Sequence, residues 1–263
     1  MENFLFIRVA RAFGGEMKII VLAKHAPDPQ SEVGVASDGK SLSLGATVFD
    51  INDWDRYAVE EAIRIKEKLG GEVVVVGVGK NCDDTLRKCL AMGADRAIKI
   101  PLDAGIDAYQ IAEVIAEAIK NEKFDMIFAG LMSQDMNNGL VGVLLAGMLN
   151  LPFATAVTAI DVKDGKVKVK REIEGGYQEE VELPIPCLLT IQSGINEPRY
   201  VSVMGIKKAK TKEMKELNIA PKSKKVEVVK MYLPPVKKAE LITGDPGQIA
   251  TKLIAILKER GLI

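Results

Sequence analysis

The strongest constraint on the fold is the regular alternation of short apolar runs and helical periodicity between residues 17 and 151. Four runs are nearly continuous in apolar character, as strands are when both faces of a parallel sheet are covered. These predicted strands span residues 18–24, 72–78, 97–100 and 124–129. The alternation predicts an α/β fold, with a Rossmann-like parallel sheet and helices on both of its faces.

Helices are predicted over residues 55–69, 83–92, 108–119 and 138–149, where apolar side chains recur at helical spacing. Asp107 is a candidate N-cap for the third helix. The fourth helix carries many glycine and alanine residues, which allow a sheet, a ligand or a partner chain to approach closely.

After Pro152 the pattern changes to alternating residues over 158–170 and 177–183, broken by Asp164-Gly165 and Gly175-Gly176. This predicts an antiparallel β segment added to the α/β core. Another apolar strand, residues 187–191, could return to the main sheet. Beyond Ile195 lie about fifty residues rich in Lys and Pro, which cannot bury enough apolar surface alone and therefore predict an extended arm. The arm ends in an amphipathic helix over residues 246–260.

The expected organisation is an N-terminal extension over residues 1–16, an α/β domain with its β addition over 17–194, and a C-terminal part over 195–263. Residues 1–16 lack the apolar core and the small-residue cleavage site of a secretory signal. No apolar run approaches the ~20 residues of a membrane helix, so no membrane span is expected.

Charge is balanced overall, with 36 Lys plus Arg against 36 Asp plus Glu. Residues 207–238 contain 11 Lys and 3 Glu, a surplus of 11 − 3 = +8, so the remainder carries −8. An acidic body argues against nucleic-acid binding. The basic arm indicates a protein partner with complementary charge.

Few residues are available for nucleophilic or metal chemistry. The three cysteines, Cys82, Cys89 and Cys187, show no C-x-x-C spacing and are interpreted as buried apolar residues in a reducing cytoplasm. The single histidine, His25, is interpreted as structural or as a solvated loop residue, because no partner side chain stands near it in the sequence. We therefore expect neither a catalytic residue nor a metal site.

Ligands of an open parallel sheet bind beyond the carboxyl ends of the strands, at the switch point of the strand order. Four loops are expected there, over residues 24–28, 52–55, 78–80 and 130–142. The last loop leads into a helix whose N-terminus could hold a phosphate, although it matches neither a Walker A loop nor G-x-G-x-x-G. Asp135 would repel a phosphate unless it contacts a base or ribose, or caps the helix. Trp54 could stack on a base or simply pack.

Several motifs together resemble the β subunit of electron transfer flavoproteins, over nearly all of residues 17–263. The most specific are Glu174-Gly175-Gly176, Leu183-Pro184, Asn196-Glu197-Pro198-Arg199-Tyr200 and Lys207-Lys208-Ala209-Lys210. The resemblance implies a heterodimer with an α subunit that carries the electron-transferring FAD. It also implies a nucleotide in this chain, which is AMP in respiratory members and a second FAD, reduced by NADH, in electron-bifurcating members.

The nucleotide segment matches neither subgroup completely. Val141-Gly142 and Pro27-Asp28 agree with the bifurcating patterns D-G-D-T-A-Q-V-G and K-Q-V-P-D, whereas the Gln and Thr of the respiratory pattern D-D-D-C-N-Q-T-G are missing. Asn138 and Leu140 agree with neither pattern. The resemblance therefore favours FAD, with AMP as the alternative.

Two sets of residues follow from the resemblance. The implied nucleotide site consists of Leu22, Ala23, Lys24, Asn52, Asp53, Trp54, Asp55, Val78, Gly130, Ser133, Gln134, Asp135, Asn138, Gly139, Leu140, Val141 and Gly142. The implied recognition segment, which docks dehydrogenase partners, consists of Ile195, Asn196, Glu197, Pro198, Arg199, Tyr200, Lys207, Lys208 and Lys210. Ile195 is its expected apolar anchor; alternatively, Ile195 packs within its own subunit.

If the resemblance is set aside, two other classes of protein remain to be considered. A nucleotide-sensing module without redox function would explain residues 17–151 equally well, but would leave the β addition, Asn196–Tyr200 and the arm without a role. A ligase or hydrolase of the same architecture would need a P-loop or a cluster of His or Lys residues, which the four loops lack.

Overall fold

The computed structural model describes residues 16–45, 47–103, 105–222, 224–235, 239 and 241–263. The expected N-terminal extension therefore lies, apart from Glu16, outside the described residues. The strands are β1 (Met17–Leu22), β2 (His25–Pro27), β3 (Gly34–Val35), β4 (Leu42–Ser43), β5 (Phe49–Ile51), β6 (Gly71–Val78), β7 (Arg96–Ile100), β8 (Met126–Gly130), β9 (Phe153–Lys163), β10 (Lys166–Glu172), β11 (Gln178–Pro184), β12 (Cys187–Ile191) and β13 (Met214–Glu216). The helices are α1 (Asp53–Leu69), α2 (Asp83–Met92), α3 (Ala108–Ile119), α4 (Leu140–Met148), α5 (Val203–Ala209) and α6 (Pro246–Glu259).

A nine-stranded sheet forms the centre of the described structure, in the order β11-β10-β9-β12-β8-β1-β6-β7-β13. Neighbouring strands from β9 through β13 in this order pair in parallel, whereas β9, β10 and β11 pair antiparallel. The chain builds outward from β1 through β6 to β7 and then crosses to β8 on the other side of β1. The switch point of the strand order consequently lies between β1 and β8. The predicted fold class, with its parallel sheet and added antiparallel segment, is confirmed.

Both faces of the sheet are covered, which explains the continuous apolar character of its central strands. In β1, Ile19 and Val21 pack with residues of α1 and α2, whereas Ile20 and Leu22 pack with residues of α3 and α4. Each central strand therefore contributes alternate side chains to two cores.

Most predicted elements are confirmed, with small shifts at their ends. The strand over residues 187–191 does return to the sheet as β12, between β8 and β9. Asp107 caps α3 in a reciprocal capping box with Gln110, and Asp245 caps α6. Helix α4 begins at Leu140, later than predicted, because Asn137 and Gly139 have left-handed backbone conformations at φ 50° and 59°.

The prediction of an extended arm beyond Ile195 is wrong for part of that stretch. Residues 203–209 form α5, which packs beside α2, and residues 214–216 form β13, which pairs with β7 at the edge of the sheet. Both elements are too short to show a clear apolar period. No helix of the described residues combines the length and apolar character needed to cross a bilayer.

Two adjacent glycines between α1 and β6 offer a matched test of this packing. A Cβ on Gly71, at φ +125°, would lie 1.8 Å from the carbonyl oxygen of Met17, whereas a Cβ on Gly70, at φ +76°, would meet no atom within 4 Å. We expect Gly70→Ala to cost about 1–3 kcal/mol through backbone strain alone. Gly71→Ala should cost more than about 3 kcal/mol, because the start of β1 must also move. Urea unfolding of the two variants measures the difference; equal costs would contradict the close approach.

Candidate functional site

The buried carboxylate of Asp55 joins the two strands at the switch point. It lies in the first turn of α1, where Oδ2 accepts the backbone N–H of Lys24 at 2.8 Å and Oδ1 accepts that of Gly130 at 2.9 Å. Lys24 follows β1 and Gly130 ends β8. One side chain therefore holds the carboxyl ends of both strands at a fixed separation.

Burial dominates the titration of Asp55, which is only 6% exposed. Desolvation raises its pKa to about 6, although the hydrogen bonds from Lys24, Asn52 and Gly130 act in the opposite direction. The site leaves no room for a side chain at position 130, since a Cβ there would lie 2.4 Å from Asp55 Oδ1. The glycine is required by this contact.

Asn52 and Gln134 bring the loop that follows β8 onto the start of α1. Asn52 Nδ2 donates to the carbonyl of Met132 at 2.9 Å, and Asn52 Oδ1 accepts the N–H of Gln134 at 3.1 Å. The Gln134 amide then donates to the carbonyl of Pro27 at 2.9 Å and accepts the N–H of Asp53 at 3.2 Å. Three of the four predicted loops thus meet at one edge of the sheet.

Lys24 and Asp135 form an ion pair across the switch point. Lys24 Nζ lies 2.6 Å from both carboxylate oxygens of Asp135 and 3.2 Å from Ser133 Oγ. Burial would raise the pKa of Asp135, but the Lys24 ammonium outweighs it and holds that pKa below its usual value. Asp135 is therefore neutralised by a cation, which removes the repulsion that the sequence suggested for a bound phosphate.

Other predicted nucleotide residues have packing roles. Leu22 and Ala23 are buried, and Val78 packs against the core on the α3 and α4 side. A Cβ on Gly142 would lie 2.8 Å from Thr190 Cγ2, so this glycine lets α4 approach β12 closely.

The N-terminus of α4 lies at the end of the loop that follows β8, and the predicted site residues around it are Asn138, Gly139, Leu140 and Val141. A helix N-terminus in this position suits an anion.

Trp54 is directed toward the end of β12. Its indole N–H donates to Gln192 Oε1 at 3.0 Å, and Gln192 in turn donates to Glu172 at 2.8 Å. Trp54 also lines a cleft of about 400 Å³ with Asp53, Arg56, Tyr57, Ser193 and Pro198. Stacking of Trp54 on a base stays a prediction; the sequence offered no signal for its partner Gln192.

The side chain of Arg199 fastens the recognition segment to α1. It binds the Glu60 carboxylate, which is 2% exposed, at 2.8 Å and the Glu67 carboxylate at 2.7 Å. These two carboxylates raise the pKa of Arg199 above its usual range. Asn196 is buried beside them and donates to the carbonyl of Tyr57 at 3.0 Å and to Glu61 at 2.9 Å.

The most exposed apolar side chains of this region lie C-terminal to Ile195. Ile195, the expected anchor, is half-buried and packs against the core of its own subunit. Tyr200, Val203 and Met204 are instead 94%, 71% and 66% exposed. Glu197 is exposed and Pro198 half-buried, while Lys207 and Lys208 occupy the last turn of α5 and Lys210 caps it. The signal that could have found Val203 and Met204 is an apolar pair directly after an N-cap serine, Ser202.

The three cysteines and the single histidine have structural environments. Cys82, Cys89 and Cys187 are free and buried, and desolvation raises the pKa of Cys82 to about 11. His25 stacks on Phe49 at 4.8 Å between ring centroids and lies 2.9 Å from Thr85 Oγ1. Burial lowers the pKa of His25.

The strand order and the loops gathered at its switch point define a doubly wound α/β protein of the Rossmann-like class. The family model described as the electron transfer flavoprotein domain matches residues 46–222. The electron transfer flavoprotein subunit beta of Methylophilus methylotrophus is 39% identical over 260 residues, which cover 92% of this chain and 98% of the relative. The same subunit of Bacillus subtilis is 34% identical (94% and 100% covered), and that of Syntrophomonas wolfei is 37% identical (92% and 96% covered).

The chain therefore belongs to the electron transfer flavoprotein β-subunit family. This membership implies electron transfer as its function and an α subunit as its partner in a heterodimer.

The buried Asp55 carboxylate should make stability depend on pH. Because its folded pKa of about 6 exceeds the 3.8 of an exposed aspartate, the folded state binds more protons between these values, and stability falls as pH rises from about 4 to 6. The loss is on the order of 3 kcal/mol at about 1.4 kcal/mol per pKa unit. The measurement is the free energy of unfolding of the isolated chain between pH 4 and 7. The Asp55→Asn variant should lack this pH-dependent loss of stability. Parallel profiles for the two proteins would contradict it.

Proposed function

We propose that this chain is the β subunit of a cytoplasmic heterodimer that shuttles electrons between dehydrogenases and an acceptor through the FAD of the α subunit, and that its own switch-point crevice holds a nucleotide. The observation that carries the proposal is the convergence of Lys24, Asn52, Asp55 and the loop after β8 at the carboxyl edge of β1 and β8. This is the edge at which open α/β sheets bind nucleotides.

The chain offers fitting groups for a phosphorylated ligand. The Lys24 ammonium is about one-third exposed, so it can contact a phosphate while it stays paired with Asp135. The N-terminus of α4 supplies backbone N–H groups and the positive end of a helix dipole. Asn52 and Gln134 hold the loop that joins these two features.

The favoured nucleotide is a second FAD rather than AMP. Support comes from Val141-Gly142 and Pro27-Asp28, which agree with the patterns of bifurcating members. A flavin held there would supply a hydride acceptor for NADH and a point at which the electron pair is divided, and the side chains of this chain would bind and orient it without reacting. AMP remains the alternative, in which case the nucleotide is structural and electrons pass only through the α-bound FAD.

The C-terminal part provides a surface for the α subunit. Helix α6 has no buried residue, and its Leu253 and Ile254 are nearly half exposed. An amphipathic helix left uncovered in this way suits a partner chain. The Lys-rich arm before it favours a partner surface of acidic character.

The nucleotide content of the purified heterodimer tests the central proposal. We expect two FAD per heterodimer and flavin reduction by NADH; one FAD with one releasable AMP would establish the alternative. Lys24→Gln should lower retention of the nucleotide of this subunit roughly tenfold, through loss of one charge-assisted contact, and leave the other FAD in place. Lys120→Gln is the control, because Lys120 pairs with the exposed Glu117 at the end of α3 and lies outside the four loops. A colourless heterodimer after reconstitution with FAD would overturn the redox function.

The recognition segment gives a second test, with Ile195 as an internal comparison. Val203→Ala and Met204→Ala together should raise the KM for the partner dehydrogenase roughly tenfold, as loss of an apolar hot spot does, while flavin content stays unchanged. Ile195→Ala should leave that KM nearly unchanged and lower the free energy of unfolding by about 1–3 kcal/mol, since Ile195 packs inside. The reverse pattern would restore Ile195 as the anchor.

A further inference from the structure

The two carboxylate oxygens of Asp107 have separate partners. Oδ1 accepts the N–H of Gln110 at 2.8 Å and so caps α3. Oδ2 accepts the N–H groups of Lys225 and Val226, at 2.5 Å and 2.8 Å, from the C-terminal arm. A single oxygen would have sufficed for the cap, so the second set of contacts calls for a different explanation.

Further contacts guide the arm along α3 and away from it. The N–H of Lys222 donates to Glu113 at 2.7 Å, and the Lys225 ammonium lies 5.0 Å from the centroid of the Tyr109 ring. Beyond the Asp107 contacts, the N–H of Met231 donates to the carbonyl of Gly39, between β3 and β4, at 2.7 Å. The arm thus passes from α3, which follows β7, to the hairpin that follows β1.

The ionisation of Asp107 suits this double role. Burial would raise its pKa, but the N–H groups of Gln110, Lys225 and Val226 outweigh burial and hold the pKa below its usual value. At neutral pH the group is therefore a full carboxylate, which accepts N–H bonds more strongly than a neutral oxygen does.

We propose that Asp107 is a positioning residue of the heterodimer: it clamps the arm at Lys225 and Val226 and so holds this part of the arm along α3, ready for the α subunit. This inference rests on the proposed role of the arm and α6 as α-subunit contacts. The arm is also held at Lys222 by Glu113 and at Met231 by the Gly39 carbonyl, so the clamp fixes the stretch between these two contacts.

The expected effect on affinity comes from pre-ordering. Lys225 and Val226 are held by the clamp before the α subunit binds and need not be ordered on binding. Loss of the clamp therefore predicts a subunit dissociation constant that is roughly three- to tenfold higher.

The test uses the full-length heterodimer with Asp107→Ser, because serine caps a helix well but cannot reach the arm. We expect amide hydrogen exchange to rise at least about tenfold for Lys225 and Val226, through loss of two charge-assisted bonds. The subunit dissociation constant should rise as above. Asp107→Asn is the second variant, since it keeps the size of the side chain and removes its charge.

Matched control variants distinguish failure of the clamp from failure of the proposed α-subunit contact. Gln110→Ala disturbs the capping box but not the arm contacts, so it should change neither arm exchange nor subunit affinity. Leu253→Glu, on α6, should weaken the heterodimer; if it does not, the proposed role of α6 fails. If Leu253→Glu weakens the heterodimer but Asp107→Ser releases the arm without changing affinity, the positioning role of Asp107 is wrong. Unchanged arm exchange in Asp107→Ser would overturn the clamp itself.

Discussion

The bridge that Asp55 makes between β1 and β8 is the interaction on which the candidate site depends. At a switch point the loops after two neighbouring strands leave in opposite directions, and the pairing of β1 with β8 ends at Val21 and Phe128, before these loops begin. Asp55 fixes it by accepting the N–H of Lys24 on one side and of Gly130 on the other. The raised pKa of Asp55 shows that burial of this carboxylate carries a cost, so the geometry is maintained at the expense of stability.

The fold was largely predictable from the sequence because its central strands are covered on both faces. This requirement produces continuous apolar runs such as Cys187–Ile191, which the pattern identified with its final bounds. The sequence pattern did not predict α5 and β13 because these elements, of seven and three residues, are too short to show a period. Their stability comes from neighbours distant in the chain, namely α2 and β7, and a local pattern cannot report such neighbours.

The candidate site was predictable as a set of loops but not as a set of contacts. The sequence placed Lys24 and Asp135 at the same edge, yet their pairing joins residues 111 positions apart and depends on the strand order. Asp135 therefore looked unfavourable for a phosphate until its cation was located. The same reason applies to Ile195: an aliphatic residue beside a charged segment resembles an exposed anchor, and its half-burial against the core depends on residues distant in the chain.

Helix α1 connects the crevice with the recognition segment. Its first turn carries Asp55 at the switch point, and Glu60, about one and a half turns later, holds Arg199. Because Glu60 is buried, separating it from Arg199 would leave a carboxylate with reduced compensation, at a cost of about 3–5 kcal/mol for a fully buried pair and less for this partly exposed arginine. Residues 196–199 are therefore held to α1, and Tyr200 directly follows them. Val203 and Met204 begin α5, which packs beside α2, so the exposed apolar side chains of this region are supported by two helices, and only the first part of the region is tied to the helix that carries Asp55.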